Sequence, residues 1–111
     1  MTNKELVMYG RSYGCPFMTT AKRVLQKYDV PYREIHIDKD PIAKERVLGW
    51  TGFLSVPTLI VANVGEDLPY TDFTPLTKGA SPRGIDRGSM LTEASSLQVE
   101  NWLRKHGFIS D

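Results

Sequence analysis

Cys15 is the one cysteine of the chain, and it stands in the segment Ser12-Tyr13-Gly14-Cys15-Pro16-Phe17-Met18. A Cys-Pro-aromatic-Cys segment would set a nucleophilic and a resolving thiol one helical turn apart. Here Met18 takes the second position, and a thioether cannot attack a disulfide. A mixed disulfide formed on Cys15 must therefore be resolved by an outside thiol, so a small-thiol cosubstrate belongs to the chemistry. The plain alternative for a lone cysteine is a small, inert apolar residue. Its setting argues for the reactive role. Cys15 falls between a strand and a helix, where the unpaired N–H groups of the first helical turn favour a thiolate. Gly14 leaves the approach to sulfur open, and Arg11 adds a nearby positive charge.

A second feature lies far along the chain. Ser55-Val56-Pro57-Thr58 puts a proline at the head of an apolar, β-branched run. X–Pro bonds are the usual home of cis peptides, although the sequence leaves the isomer open.

The elements that must position these residues follow from periodicity. Leu6 to Tyr9 is a short apolar run before Gly10 and is expected to be a buried strand. Gly10 to Gly14 is a turn. From Pro16, Ala21, Val24, Leu25 and Tyr28 share a helical face opposite Lys22, Arg23 and Lys27, and the helix should stop before Pro31. That basic stripe is expected to be a solvated face. Tyr32 to Asp38 alternates as a strand. Asp40-Pro41 starts a second helix with Ala43, Val47 and Trp50 on its apolar face, ending near Gly49 and Gly52. Ser55 to Ala62 reads as a central strand. Asn63-Val64-Gly65 is a hairpin turn, and Leu68 to Phe73 a short edge strand. Residues 74 to 94 carry several Pro and Gly without a period, which predicts a long loop. Its charges, Lys78, Arg83 and Arg87 against Asp86 and Glu93, are expected to be solvated, with a partner-docking or lid segment as the alternative. Ser95 and Gln98 have capping-box spacing for a last helix bearing Val99, Trp102, Leu103 and His106 on one face, and Gly107 stops it. The order β-α-β-α-β-(β)-α predicts an α/β sandwich with parallel strand pairs.

Composition narrows the function classes. The 111 residues, 41% hydrophobic and 24% charged, suit one folded domain over 1–111 and not a disordered chain. With 14 basic against 13 acidic residues there is no electrostatic footprint for nucleic acid. No signal-peptide core or bilayer-length apolar run is present, so no membrane partner is expected. One cysteine cannot form an intramolecular disulfide, and the expected location is the reducing cytoplasm. His36 and His106 make no metal pattern with Cys15, so no metal is expected there. Trp50 and Trp102 are expected in the core.

Three stretches together resemble the glutaredoxin family. "MYGRSYGCPFM" is similar to its first strand and active-site loop, "SVPTLIV" to its Thr-Val-Pro strand, and "PYTDF" to its Gly-Gly-x-x-Asp segment. The resemblance covers residues 4 to 73 well and the last helix loosely. It implies a thioredoxin-like three-layer sandwich: a four-stranded mixed sheet flanked by helices, with glutathione bound beside the cysteine. Cys15 is then the nucleophile. Arg11 sits near the basic residue that pairs with the glycine carboxylate, and Phe17 matches the motif aromatic. Tyr13 joins the glutathione-binding set beside them. Val56 pairs its backbone with the glutathione cysteine, Pro57 is the cis-proline position, and Thr71 and Asp72 match the region holding the γ-glutamyl end. The chain departs from the pattern in its missing second cysteine, in an extra residue between Arg11 and Cys15, in Leu68-Pro69 where Gly-Gly is usual, and in the loop 74–94.

The expected activity is monothiol, glutathione-dependent thiol–disulfide oxidoreduction in redox homeostasis and electron transport. Glutathione or another small thiol serves as cosubstrate, and protein mixed disulfides as substrates. Two alternatives stand beside it: a [2Fe–2S] carrier in which two protomers each supply Cys15, and a non-catalytic binding module with the long loop as its surface.

Overall fold

Leu6, Val7, Met8 and Tyr9 are all fully buried, which demands cover on both faces of the strand that carries them. A computed structural model, describing residues 4–110, provides it. Strand β1 (Lys4–Gly10) lies inside a four-stranded sheet of order β2-β1-β3-β4, with β2 spanning Tyr32–His36, β3 Thr58–Asn63 and β4 Met90–Thr92. β1 runs parallel to β2 and antiparallel to β3, and β3 is antiparallel to β4.

Successive side chains of a strand point to opposite faces. Tyr9 meets Trp50 of helix α2 (Pro41–Thr51) edge to face, with ring centroids 5.0 Å apart. Gly10, next in the strand, instead faces Met18 of helix α1 (Pro16–Lys27). A Cβ at Gly10 would lie 2.6 Å from Met18 Cε, so the missing side chain is what lets α1 start so close to the sheet. Helix α3 (Ser96–Lys105) packs beside α1. The chain is thus a thioredoxin-like α/β sandwich, as the resemblance implied, with α1 and α3 on one face and α2 on the other.

The helix starts follow the sequence closely. Asp40 caps α2 by accepting from the N–H groups of Ile42 and Ala43, and Ser95 and Gln98 close a reciprocal capping box on α3. Val99, Trp102 and Leu103 are buried as predicted.

The fourth strand is not where the sequence put it. Residues 68–73 form no strand. Only an isolated bridge joins Pro69 to Ala62, and the Tyr70 N–H reaches the Val61 carbonyl. Pro69 has no N–H to extend a ladder. The edge strand is Met90–Thr92, inside the stretch predicted as loop. It is only three residues long, but Thr58, Leu59 and Ile60 pair with it. Its outer edge is occupied by residues 83–87 through Gly84 N–H to Thr92 O and Arg87 N–H to Met90 O. An exposed row of backbone groups is thereby covered by the chain's own insertion.

Helix α3 also fastens that insertion. Trp102 Nε1 donates to the Gly88 carbonyl at 2.8 Å, and His106 Nε2 lies 2.7 Å from the same oxygen. Burial holds the His106 pKa below its usual 6.5, partly offset by the bond to Gly88. As pH falls, the unfolded chain therefore binds this proton first. The contribution of His106 to stability is full above its unfolded pKa and is lost as pH falls from there toward the folded value. The thermal midpoint should drop as pH falls below about 6.5, the usual histidine value, and His106→Gln should flatten the drop. An equal drop in both proteins would assign the effect to other groups.

Candidate functional site

The strand-to-helix turn places Cys15 at the N-cap of α1, with extended backbone (φ −154°, ψ 133°) and Pro16 in the first turn. Its carbonyl accepts from the Thr19 N–H at 3.0 Å, so the helix begins directly behind the sulfur. Cys15 Sγ caps no backbone N–H. It lies 3.7 Å from the Val56 carbonyl, toward which the thiol donates. Residues 15 and 56, far apart in sequence, thus meet at one corner of the sheet.

The Val56–Pro57 peptide at this corner is cis, the isomer the sequence left open. Three contacts fasten the corner. Thr58 Oγ1 donates to the Ser55 carbonyl at 3.0 Å, lies 3.0 Å from Thr92 Oγ1 in the buried interior, and the Pro57 carbonyl accepts from the Glu93 N–H at 3.0 Å. Glu93 adopts φ +46°, unusual for a side-chain-bearing residue, as the chain turns from β4 into α3.

On one side of Cys15, Arg11 and Tyr13 line a cleft of about 210 Å³ with Asp38, Lys44 and Leu54. The Arg11 guanidinium lies over the Tyr13 ring, 4.5 Å from its centroid, and donates to the Gly14 carbonyl at 3.2 Å. Arg11 Nε is buried without a partner. Such an orphaned donor costs free energy unless something polar meets it. Ser12 donates from both its N–H and its hydroxyl to the Asp38 carboxylate, and these bonds hold the Asp38 carboxyl below the usual carboxylate range. The cleft therefore presents two cations, Arg11 and Lys44, against one carboxylate that is already engaged.

On the other side, Phe17 is covered by Arg83, whose guanidinium lies 4.9 Å from the ring centroid. Arg83 also meets Glu93 at 3.5 Å. These two residues, with Leu54, Ser55 and Pro82, wall a second cleft of about 440 Å³. The sequence reading counts Arg83 and Glu93 only among the charges of the 74–94 loop and assigns neither to the site. Recognising Met90-Leu91-Thr92 as a strand would have placed residues 93–95 beside Pro57.

The structure thus brings Cys15, Arg11, Tyr13, Phe17, Val56 and Pro57 to one corner. It sets Thr71 and Asp72 apart. The Thr71 carbonyl accepts from Ser89 Oγ, and Tyr70 bonds to Val61, three residues along β3 from Thr58. That is roughly 10 Å of strand away from the cis-proline corner. Met18 is buried, and its Sδ accepts from the Arg11 N–H at 3.4 Å, so it packs the base of the cysteine loop. No helix among the described residues is long and apolar enough to cross a membrane.

A family model described as Glutaredoxin matches residues 6–65, which span β1 through the end of β3 and include Cys15 and Pro57. No curated protein matches the chain.

Proposed function

The chain belongs to the glutaredoxin family, whose members are thiol–disulfide oxidoreductases that generally use glutathione, and from this premise we propose that Cys15 works alone in a monothiol cycle. The Cys15 thiolate attacks the glutathione sulfur of a protein–glutathione mixed disulfide. The protein thiolate leaves and takes up a proton, and Cys15 carries the glutathione. A second glutathione, as thiolate, attacks the glutathione sulfur of that adduct. Oxidised glutathione leaves and the Cys15 thiolate returns. The protein sulfur returns to the thiol level, one free glutathione is consumed and leaves as half of the oxidised glutathione, and the enzyme ends unchanged.

The observation that carries this reading is the meeting of Cys15 Sγ with the Val56 carbonyl at the cis Val56–Pro57 corner, with Met18 where a resolving thiol would stand. A peptide-like thiol laid against Val56 can pair with its backbone as an added strand would, with its sulfur beside Cys15. Arg11 and Tyr13 bind its carboxylate end, for which the unpartnered Arg11 Nε is a ready donor. Phe17 supplies an apolar wall. At the opposite end Glu93 and Arg83 stand closer to Pro57 than Thr71 and Asp72 do, and they take the amino-acid head group.

Intact mass tests the first half of the cycle. Exposure to oxidised glutathione should give one glutathione adduct on the wild-type chain and none on Cys15→Ala. A wild-type chain that stays unmodified would remove the glutathionylated intermediate and with it the mechanism.

A further inference from the structure

Arg87 is only 2% exposed, yet no carboxylate among the described residues pairs with it. Its Nε donates to the Thr74 carbonyl at 2.8 Å, and its Nη1 to the Trp50 carbonyl at 2.7 Å and, more weakly, to Met90 Sδ. All three acceptors are neutral. Nη2, with two further N–H donors, has no hydrogen-bond partner among the described residues. The Trp50 bond tethers the cation to the last turn of α2, where the helix dipole favours it. That explains one side of the guanidinium and leaves the other without a counter-charge. Buried arginines are otherwise almost always paired.

The side chain lines an open cleft of about 400 Å³, between the end of α2 and the turn at residues 75–80. Its walls include Trp50, Phe53, Phe73 and Leu76, and Lys78 adds a second cation. Phe73 lies face-on to the Arg87 guanidinium at 4.9 Å and edge-on to Trp50, so the aromatic wall and the charge are held as one unit. The volume suits a small molecule, and apolar walls with a few convergent polar groups are the usual make-up of such sites.

We propose that this cleft is a binding site for a small organic carboxylate with a flat apolar body, its carboxylate on Arg87 and Lys78 and its body against Trp50 and Phe73. With Nε and Nη1 engaged, Nη2 can donate a charge-assisted hydrogen bond to one carboxylate oxygen while Lys78 meets the other, and a ligand lacking that charge would leave the cation unmet. Neither Arg11 nor Cys15 lines this cleft, and the proposal does not depend on the thiol chemistry. Phe53 lines both this cleft and the one beside Ser55.

The test is a titration of the isotope-labelled full chain with phenylacetate, followed by amide-resolved NMR, with neutral 2-phenylethanol as the control. Phenylacetate should move the signals of Trp50, Phe73, Lys78 and Gly79, and phenylethanol should bind about tenfold more weakly or worse. Lys78→Glu should weaken phenylacetate several-fold with an unchanged thermal midpoint. Arg87→Met should abolish binding, and if that variant does not fold, Lys78→Glu decides. Equal binding of the neutral control, no response at these residues, or shifts gathered at Arg11 and Cys15 would each overturn the proposal.

Discussion

Cys15→Ser is expected to lower the turnover of a glutathionylated peptide by about 10³-fold or more, since removing a nucleophile removes the covalent route altogether. A serine hydroxyl is close in size and can still donate to the Val56 carbonyl, so the corner should keep its shape. Cys15 is only partly buried, and its loss should change stability by less than about 1 kcal/mol, as for most substitutions outside a packed core. The pair of measurements therefore separates chemistry from folding: a peptide-deglutathionylation rate with glutathione as reductant, and a thermal midpoint. Loss of rate with an intact midpoint supports the nucleophile. Equal rates in wild type and variant would leave a binding module on a redox fold. The absence of a second cysteine sharpens this test. No other thiol in the chain can take over the reaction, so any residual rate must come from the solution thiol itself.

The cysteine corner was legible in the sequence because its parts are local. Gly14, Cys15, Pro16 and the helical period that follows state a strand-to-helix junction, and Val56-Pro57 states a fixed backbone feature. The sequence does not state that the two meet. Their 3.7 Å contact depends on β3 pairing with β1 in one particular register, a long-range property. The error over the fourth strand has a related cause. Residues 68–73 look like a strand because Tyr70 and Phe73 favour one, but Pro69 limits pairing to a bridge. Met90-Leu91-Thr92 is too short to show a period, and it is a strand because Thr58, Leu59 and Ile60 select it. The same error hid Glu93 and Arg83, which reach the corner only once β4 is in place. Arg87 was equally hidden. It read as one charge in a solvated loop, whereas the packing of Phe73 and Trp50 encloses it.

Trp102→Ala is expected to cost about 3–5 kcal/mol, the usual range for emptying a large aromatic site in a core. Trp102 is the largest fully buried side chain, at 1% exposure. The loss is a large share of the roughly 5–15 kcal/mol that holds a domain of this kind folded. It also removes the indole N–H from the Gly88 carbonyl, leaving His106 as that oxygen's side-chain partner. Trp102→Phe separates the two contributions. It keeps most of the volume, loses the donor, and should cost about 1–2 kcal/mol. Urea unfolding measures both, the midpoint moving while the slope stays constant. A change below about 1 kcal/mol for the alanine variant would mean that α3 does not anchor this face. The consequence reaches the thiol corner. Gly88 leads through Ser89 into β4, Thr92 of β4 pairs with Thr58, and the next N–H, from Glu93, holds the Pro57 carbonyl. Loosening Trp102 should therefore disturb the wall beside Pro57 before it disturbs Cys15, which is set by β1 and α1. A Trp102→Phe protein should still form the glutathione adduct on Cys15 while binding glutathione more weakly. That pairing of results is what a support acting through β4 predicts, and a general loss of folding would instead lower both together.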